Sequence, residues 1–198
     1  MYNKYHTEGI VLGGTHIGEA NIYLTIFTRD LGLVRASAQG LREVKSKLRY
    51  SLQDLSHAKV ELVFGRGGWR VVSAEEVRSY ATLFLQKNEL TPLGVCVRLS
   101  QLLRRLIHGE AKNAALFEDV VGLFSFLSSR TLHGEEFLQT EMVGVMRILY
   151  HLGYWGGNDA LSPFLRGQIS ENLIRVEVKK IKSLALREIN KSLEATQL

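Results

Sequence analysis

The sequence predicts an α+β protein, a small N-terminal β-barrel of five strands followed by an all-helical region. Three observations carry this expectation. Residues 1–80 are rich in β-branched and aromatic residues punctuated by glycine turns, the signature of short strands. Within them Ala58, Val60, Leu62 and Phe64 alternate with Lys59, Glu61 and Val63, as a sheet with one buried face requires. After Glu75 the apolar spacing changes to the 3.6-residue period, with Val95, Leu99, Leu102, Leu103 and Leu106 on one helix face.

The expected strands are Tyr5–Gly13, Ile22–Thr28, Leu33–Gln39, His57–Phe64 and Trp69–Ala74. Gly13-Gly14-Thr15-His16-Ile17-Gly18 reads as the turn between the first two. Arg29-Asp30-Leu31-Gly32 joins the second to the third, Gly32 supplying the positive φ that such a turn needs. Gly65-Arg66-Gly67-Gly68 suits a hairpin between the fourth and fifth. Five short strands in one flat sheet would leave two bare edges, so closure is expected, and a five-stranded barrel is of the OB-fold type. The division expected is an OB-fold domain over 1–80 and a helical domain over 81–198.

In the helical region Pro92 and Gly109 bracket the first helix. Leu116, Val120, Leu123, Phe124 and Leu127 form a second stripe, and Leu138, Met142, Val145, Met146, Leu149 and Leu152 a third, which ends at Gly153. Gly153-Tyr154-Trp155-Gly156-Gly157-Asn158 breaks the helix into a loop. A last helix is expected with Ser183 as its cap and a narrow stripe of Leu186, Ile189 and Leu193, with Lys182, Arg187 and Lys191 on other faces.

Composition narrows the function. At 45% hydrophobic and 23% charged residues the chain is ordinary globular material. Its apolar runs fall far short of the roughly 20 residues that span a bilayer, and MYNKYHTEG has no apolar signal core, so a cytoplasmic protein is expected. Cys96 is the only cysteine, which removes any internal disulfide or cysteine-based zinc site, and its apolar neighbours mark it as a small buried hydrophobe. His6, His16, His57, His108, His133 and His151 are scattered without metal-ligand spacing, so no metal is implied. Gly13 to Gly18 matches neither nucleotide-binding glycine pattern, and no G-x-S-x-G element occurs. Glu75-Glu76 and Glu135-Glu136 read as solvated helix starts rather than catalytic carboxylates. The expectation is a protein without catalytic activity or cofactor.

The net charge of +5 points weakly to an anionic partner; its distribution points further. Arg35, Arg42, Lys45, Lys47 and Arg49 stand against Glu43 alone between the third and fourth strands. Such a cluster repels itself unless solvent or an anion relieves it, so it is either a solvated loop or a phosphate-binding segment. OB barrels bind single-stranded nucleic acid by combining cations with aromatic stacking platforms, which favours the second reading. Tyr50, beside Arg49, is the candidate stacker. Of the strand aromatics Tyr5, Tyr23, Phe27, Phe64 and Trp69, most are expected in the core. The candidate nucleic-acid site is therefore Arg35, Arg42, Lys45, Lys47, Arg49 and Tyr50. A protein-interaction scaffold and an RNA-binding OB protein are the alternatives.

The residues EGIVLGGTHIGEANIYLTIFTRDLGLVRASAQGLREVKSKLRYSLQDL resemble the RecO family of bacterial recombination-mediator and DNA-repair proteins. The likeness rests on Gly18-Glu19-Ala20, on Phe27-Thr28 through Gly32, and on the Gly40 to Arg49 basic segment. Phe64-Gly65-Arg66-Gly67 and Leu152-Gly153-Tyr154 extend it. The resemblance implies an OB barrel plus a helical domain with no ATPase or nuclease activity. It also implies binding of single- and double-stranded DNA, annealing of complementary strands, assistance in recombinase loading, and residence at the nucleoid. RecR and the single-stranded-DNA-binding protein are the partners it implies. Two features depart from the family. The four-cysteine zinc motif that many members carry after the Leu-Gly-Tyr step is replaced by Trp155-Gly156-Gly157-Asn158, and the chain is shorter than typical members, so a reduced C-terminal region is expected. The helix that follows Gly134 opens on Glu135, Glu136 and Glu141, so an acidic partner tail would have to use Arg98, Arg104, Arg105 or Arg147 instead.

Overall fold

The computed structural model describes residues 3–17, 21–39 and 48–196. Five strands, β1 (Lys4–Ile17), β2 (Asn21–Thr28), β3 (Gly32–Ala38), β4 (Ser56–Gly65) and β5 (Gly68–Ser79), close into a barrel in the order β1-β2-β3-β5-β4. All neighbours are antiparallel except β3 and β5, whose parallel contact is the two pairs Ala36–Trp69 and Ser37–Arg70. A short helix, α1 (Leu48–Ser51), precedes β4. This is the OB-type barrel expected from the glycine-punctuated strands.

Two strands outrun their expected ends, for the same reason. Gly13 takes φ +137° and sits at a bulge between Val11 and Gly13, so β1 bends and continues instead of turning. Thr15, His16 and Ile17 pair with Tyr23, Ile22 and Asn21, which corrects the reading of Gly13 to Ile17 as a turn. The bend lets β1 pair with β4 through Lys4–Ile10 and with β2 through Gly9–Ile17. In β5, register shifts opposite His57/Ala58 and Glu61/Leu62 carry the strand on to Ser79. Glu75 and Glu76 thus lie opposite Lys59 and Ala58 in the sheet rather than at a helix start.

Barrel and helices share apolar packing. Val11, Leu24, Ile26, Val34, Ala36, Ala58, Val60, Leu62 and Val71 fill the barrel. Ile10, Leu12, Phe27 and Leu55 instead join the core of the helices α2 (Tyr80–Gln86), α3 (Leu90–Leu106), α4 (Ala114–Ser129) and α5 (Glu135–His151). α2 was not anticipated; Ser79 caps it by accepting from the Thr82 N–H, and Tyr80 and Phe84 bury its inner face. Tyr80 Oη meets Ser125 Oγ of α4 at 2.9 Å.

The segment between α3 and α4 crosses onto the barrel. Lys112 Nζ lies 2.8 Å from Asp30 Oδ1, and Trp69 Nε1 donates to Glu110 Oε1. Gly32, at φ +69°, packs so closely that a β-carbon there would lie 2.4 Å from the Ala111 carbonyl oxygen. Gly32 thus serves both the turn and this crossing.

After Gly153 (φ +79°) the chain makes a 3-10 turn, Asp159–Phe164, and a wide π-type turn, Leu173–Val178, that runs directly into α6 (Lys179–Ala195). Ser183 lies inside α6 and caps nothing, because helical structure begins upstream of it. Glu135 and Glu136 do open α5 but are not free: Lys182 reaches Glu135 at 3.2 Å and Arg175 reaches Glu136 at 2.7 Å. The His133 N–H, and then Arg175, hold the Glu136 carboxyl below its usual range. No described helix is long and apolar enough to cross a membrane.

Candidate nucleic-acid interface

The outer face of the barrel is set by strand alternation. Leu24, Val34 and Ala36 point inward, so Tyr23, Thr25, Arg35 and Ser37 point outward. Arg35 is exposed, lies opposite Thr25, and holds its guanidinium 5.2 Å from the centroid of the Tyr23 ring. Thr15, Tyr23, Ser37 and Arg70 form one cross-strand row over β1, β2, β3 and β5. Arg104 of α3 adds a further cation: its guanidinium lies over Gly13, 2.9 Å from where a β-carbon would be. Gly13 in turn pairs with Thr25, so Arg104 and Arg35 flank that threonine on either side. The glycine at the bulge makes this approach sterically open.

Of the six sequence-predicted site residues, Arg35, Arg49 and Tyr50 lie within the described residues; Arg42, Lys45 and Lys47 lie outside them. Arg49 and Tyr50 sit on α1, both exposed, Tyr50 by 65%. Arg49 lines a depression together with Gly14, His16, Ile22, Gln53 and Asp54, at the end of β1 and the start of β2. Arg35, Arg49, Arg70 and Arg104 take part in none of the ion pairs formed among the described residues. Sequence reasoning missed Tyr23, Arg70 and Arg104 as neighbours of Arg35. The first two were findable from strand parity; Arg104 was not, because it reaches the barrel from a helix.

The strand aromatics divide. Phe27 is fully buried and Trp69 nearly so, but Tyr5 is 37% and Phe64 54% exposed. Phe64 departs from the one-face pattern because β4 runs beyond the filled barrel into its hairpin, so the inward direction no longer leads to core.

Other candidate groups are engaged elsewhere. Arg98 makes two 2.6 Å bonds to the Glu141 carboxylate. Arg147, 3% exposed, is bound by Asp119 at 2.9 Å and by the Phe164 and Arg166 carbonyls. Arg104 and Arg105 remain exposed. Among the described residues no group of three or more His, Cys, Asp or Glu side chains is gathered for a metal. Cys96 is buried in α3, where desolvation pushes its thiol pKa up and keeps it protonated. The residues after Leu152-Gly153-Tyr154 thus offer no counterpart of the cysteine ligands of a zinc site.

Residues 1–80 match the family described as Recombination protein O N terminal. The chain is 38% identical over 79 residues to the DNA repair protein RecO of Heliobacterium modesticaldum, covering 40% of this chain and 29% of that protein. It is 28% identical over 116 residues to the DNA repair protein RecO of Dehalococcoides mccartyi, covering 59% and 45%, so that match continues into the helices. With the protein of that name from Bifidobacterium adolescentis it shares 39% over 77 residues, covering 39% and 31%. Each match spans less than half of the relative's length. With a closed barrel of OB order built from the matched residues and helices packed against it, residues 1–80 are similar to the N-terminal part of RecO proteins.

Proposed function

We propose that the chain is a non-catalytic DNA-binding recombination mediator in DNA repair, which binds single- and double-stranded DNA, anneals complementary strands and assists recombinase loading. The observation that carries this reading is the outer barrel face: Arg35 over Tyr23, flanked by Arg70 and Arg104, with none of these arginines ion-paired among the described residues. The name shared by the relatives, DNA repair protein RecO, supports the same reading.

In this reading Arg35, Arg42, Lys45, Lys47 and Arg49 contact phosphates and Tyr50 supports a base. The mechanism needs no covalent chemistry. Two polyanions repel each other, and a cationic surface that holds both lowers the barrier to their pairing. Residues 1–80 carry the DNA and 81–198 the partner surfaces, for a RecR-like protein and a single-stranded-DNA-binding protein. For an acidic tail of the latter, the exposed Arg105 is the available cation, since Arg98 and Arg147 are already bound and Arg104 lies over the barrel at Gly13. The site of action is the cytoplasm, at the nucleoid.

Salt-titrated binding to labelled oligonucleotides tests this. With about four or five phosphates neutralised, log K against log salt should fall with a slope near −3 to −4 for single strands. Replacing Lys45, Lys47 and Arg49 together by Glu, or Arg35 alone, should weaken binding to all sequences alike. Unchanged affinity in the folded variants would overturn the site; no binding at roughly 50 mM salt would favour a protein-interaction scaffold instead.

A further inference from the structure

The β4–β5 hairpin holds a feature the cationic face does not account for. Phe64, Trp69 and Tyr5 form an aromatic trio, with Trp69 in the middle: its ring centroid is 5.0 Å from that of Phe64 and 5.1 Å from that of Tyr5. Both contacts are edge-to-face, at 62° and 77°. Trp69 is 7% exposed, whereas Phe64 and Tyr5 stand out at 54% and 37%. The outer rings are therefore braced before any ligand arrives, which reduces the ordering cost of using them as platforms.

The surroundings suit an unpaired nucleotide. Arg66, two residues from Phe64 at the hairpin tip, is exposed and outside the ion pairs formed among the described residues. Gly67 and Gly68 have nothing within 4 Å of a built β-carbon, so the hairpin tip is open to approach. Register gives the trio the inward parity of Ala36, which pairs with Trp69, and Trp69 with Phe64, so the rings lie at the mouth of the barrel, on the other side of the sheet from the Arg35 face. Phe64 is thus two strand spacings, about 10 Å, from the strand that carries Arg35. The Trp69 N–H is spent on Glu110, which leaves stacking and phosphate contact without a base-edge donor from the indole.

We propose that the hairpin is a single-strand-specific subsite, in which an unpaired base stacks on Phe64 while its phosphate is held by Arg66. This rests on the DNA-binding reading above and deepens it. A duplex keeps its bases stacked on one another and cannot use the Phe64 face, so the subsite favours single strands while the cationic face serves both. Because every base has a π-face, it is tolerant of sequence.

The test is fluorescence anisotropy of the full chain with labelled oligo-dT and with a labelled duplex of equal length. Phe64→Ala should weaken oligo-dT binding about 10-fold, leave duplex affinity unchanged and keep the salt slope, and Phe64→Trp should restore it. Phe64→Leu, which keeps apolar cover on Trp69 but removes the ring face, should behave like the alanine variant. Equal losses for both DNAs, or no loss in the alanine and leucine variants, would overturn the subsite. Arg35→Glu run in parallel separates the two levels. If it weakens both DNAs while the Phe64 variants do not, the subsite falls and the DNA-binding reading stands; if the unaltered chain binds neither DNA, both fall.

Discussion

The indole Nε1 of Trp69 donates to Oε1 of Glu110 at 2.8 Å, joining β5 of the barrel to the segment that follows α3. Trp69 is nearly buried, so its N–H depends on that acceptor. Glu110→Ala should cost about 1–2 kcal/mol in urea unfolding, and Glu110→Gln, which keeps an acceptor, less than half of that.

Gly32 combines φ +69° with an Ala111 carbonyl 2.4 Å from any added β-carbon. Gly32→Ala must both strain the backbone and push the crossing segment away. We expect a loss of about 2–4 kcal/mol, measured as a lowered urea midpoint with little change in slope.

Arg147 is buried 17 residues along the chain from the Phe164 carbonyl it binds, and it also holds Asp119 at 2.9 Å, while His151 meets the other oxygen of Asp119 at 2.7 Å. Arg147→Met would leave the Phe164 and Arg166 carbonyls and one oxygen of Asp119 without their partner, with His151 keeping the other oxygen. The expected cost is about 3–5 kcal/mol by thermal or urea unfolding, with DNA affinity of the folded fraction unchanged.

Asp30 supplies a pH dependence. Its hydrogen bond from Lys112, then that from Thr7, lowers the carboxyl pKa below its ordinary value. The folded state therefore binds this proton less readily than the unfolded one. The stabilisation is present at neutral pH and is lost as pH falls below about 4, through the folded pKa. Asp30→Asn should lower stability at pH 7 and converge with the unaltered protein in acid; parallel curves down to pH 3 would contradict this.

Much of this architecture is legible in the residues themselves. Glycine punctuation marks the hairpins, and the stripes through Leu99, Leu123 and Met146 mark three helices, because local period and turn chemistry agree with the final packing there. Legibility fails where a long-range contact overrides the local pattern. Gly13 looks like a turn until its bulge pairs it with Thr25. Glu75 and Glu76 look like a helix start until β4 holds them in the sheet. The site divides similarly: Arg35 stands out in the linear charge pattern, but Arg104 becomes its neighbour only when α3 packs onto β1, and Phe64 shows its exposure only where the barrel core ends.

Ile10, Leu12 and Phe27 belong to strands yet pack in the same core as Leu103, Phe117 and Phe124 of the helices. Among the described residues the strands therefore pass into the helices across a shared apolar core. A strand of DNA lying across Arg35 and a protein resting on α3 would be held at a spacing set by side-chain packing. On the proposed reading such a body would work as a jig, presenting two cargoes in a set alignment and leaving any flexibility to them.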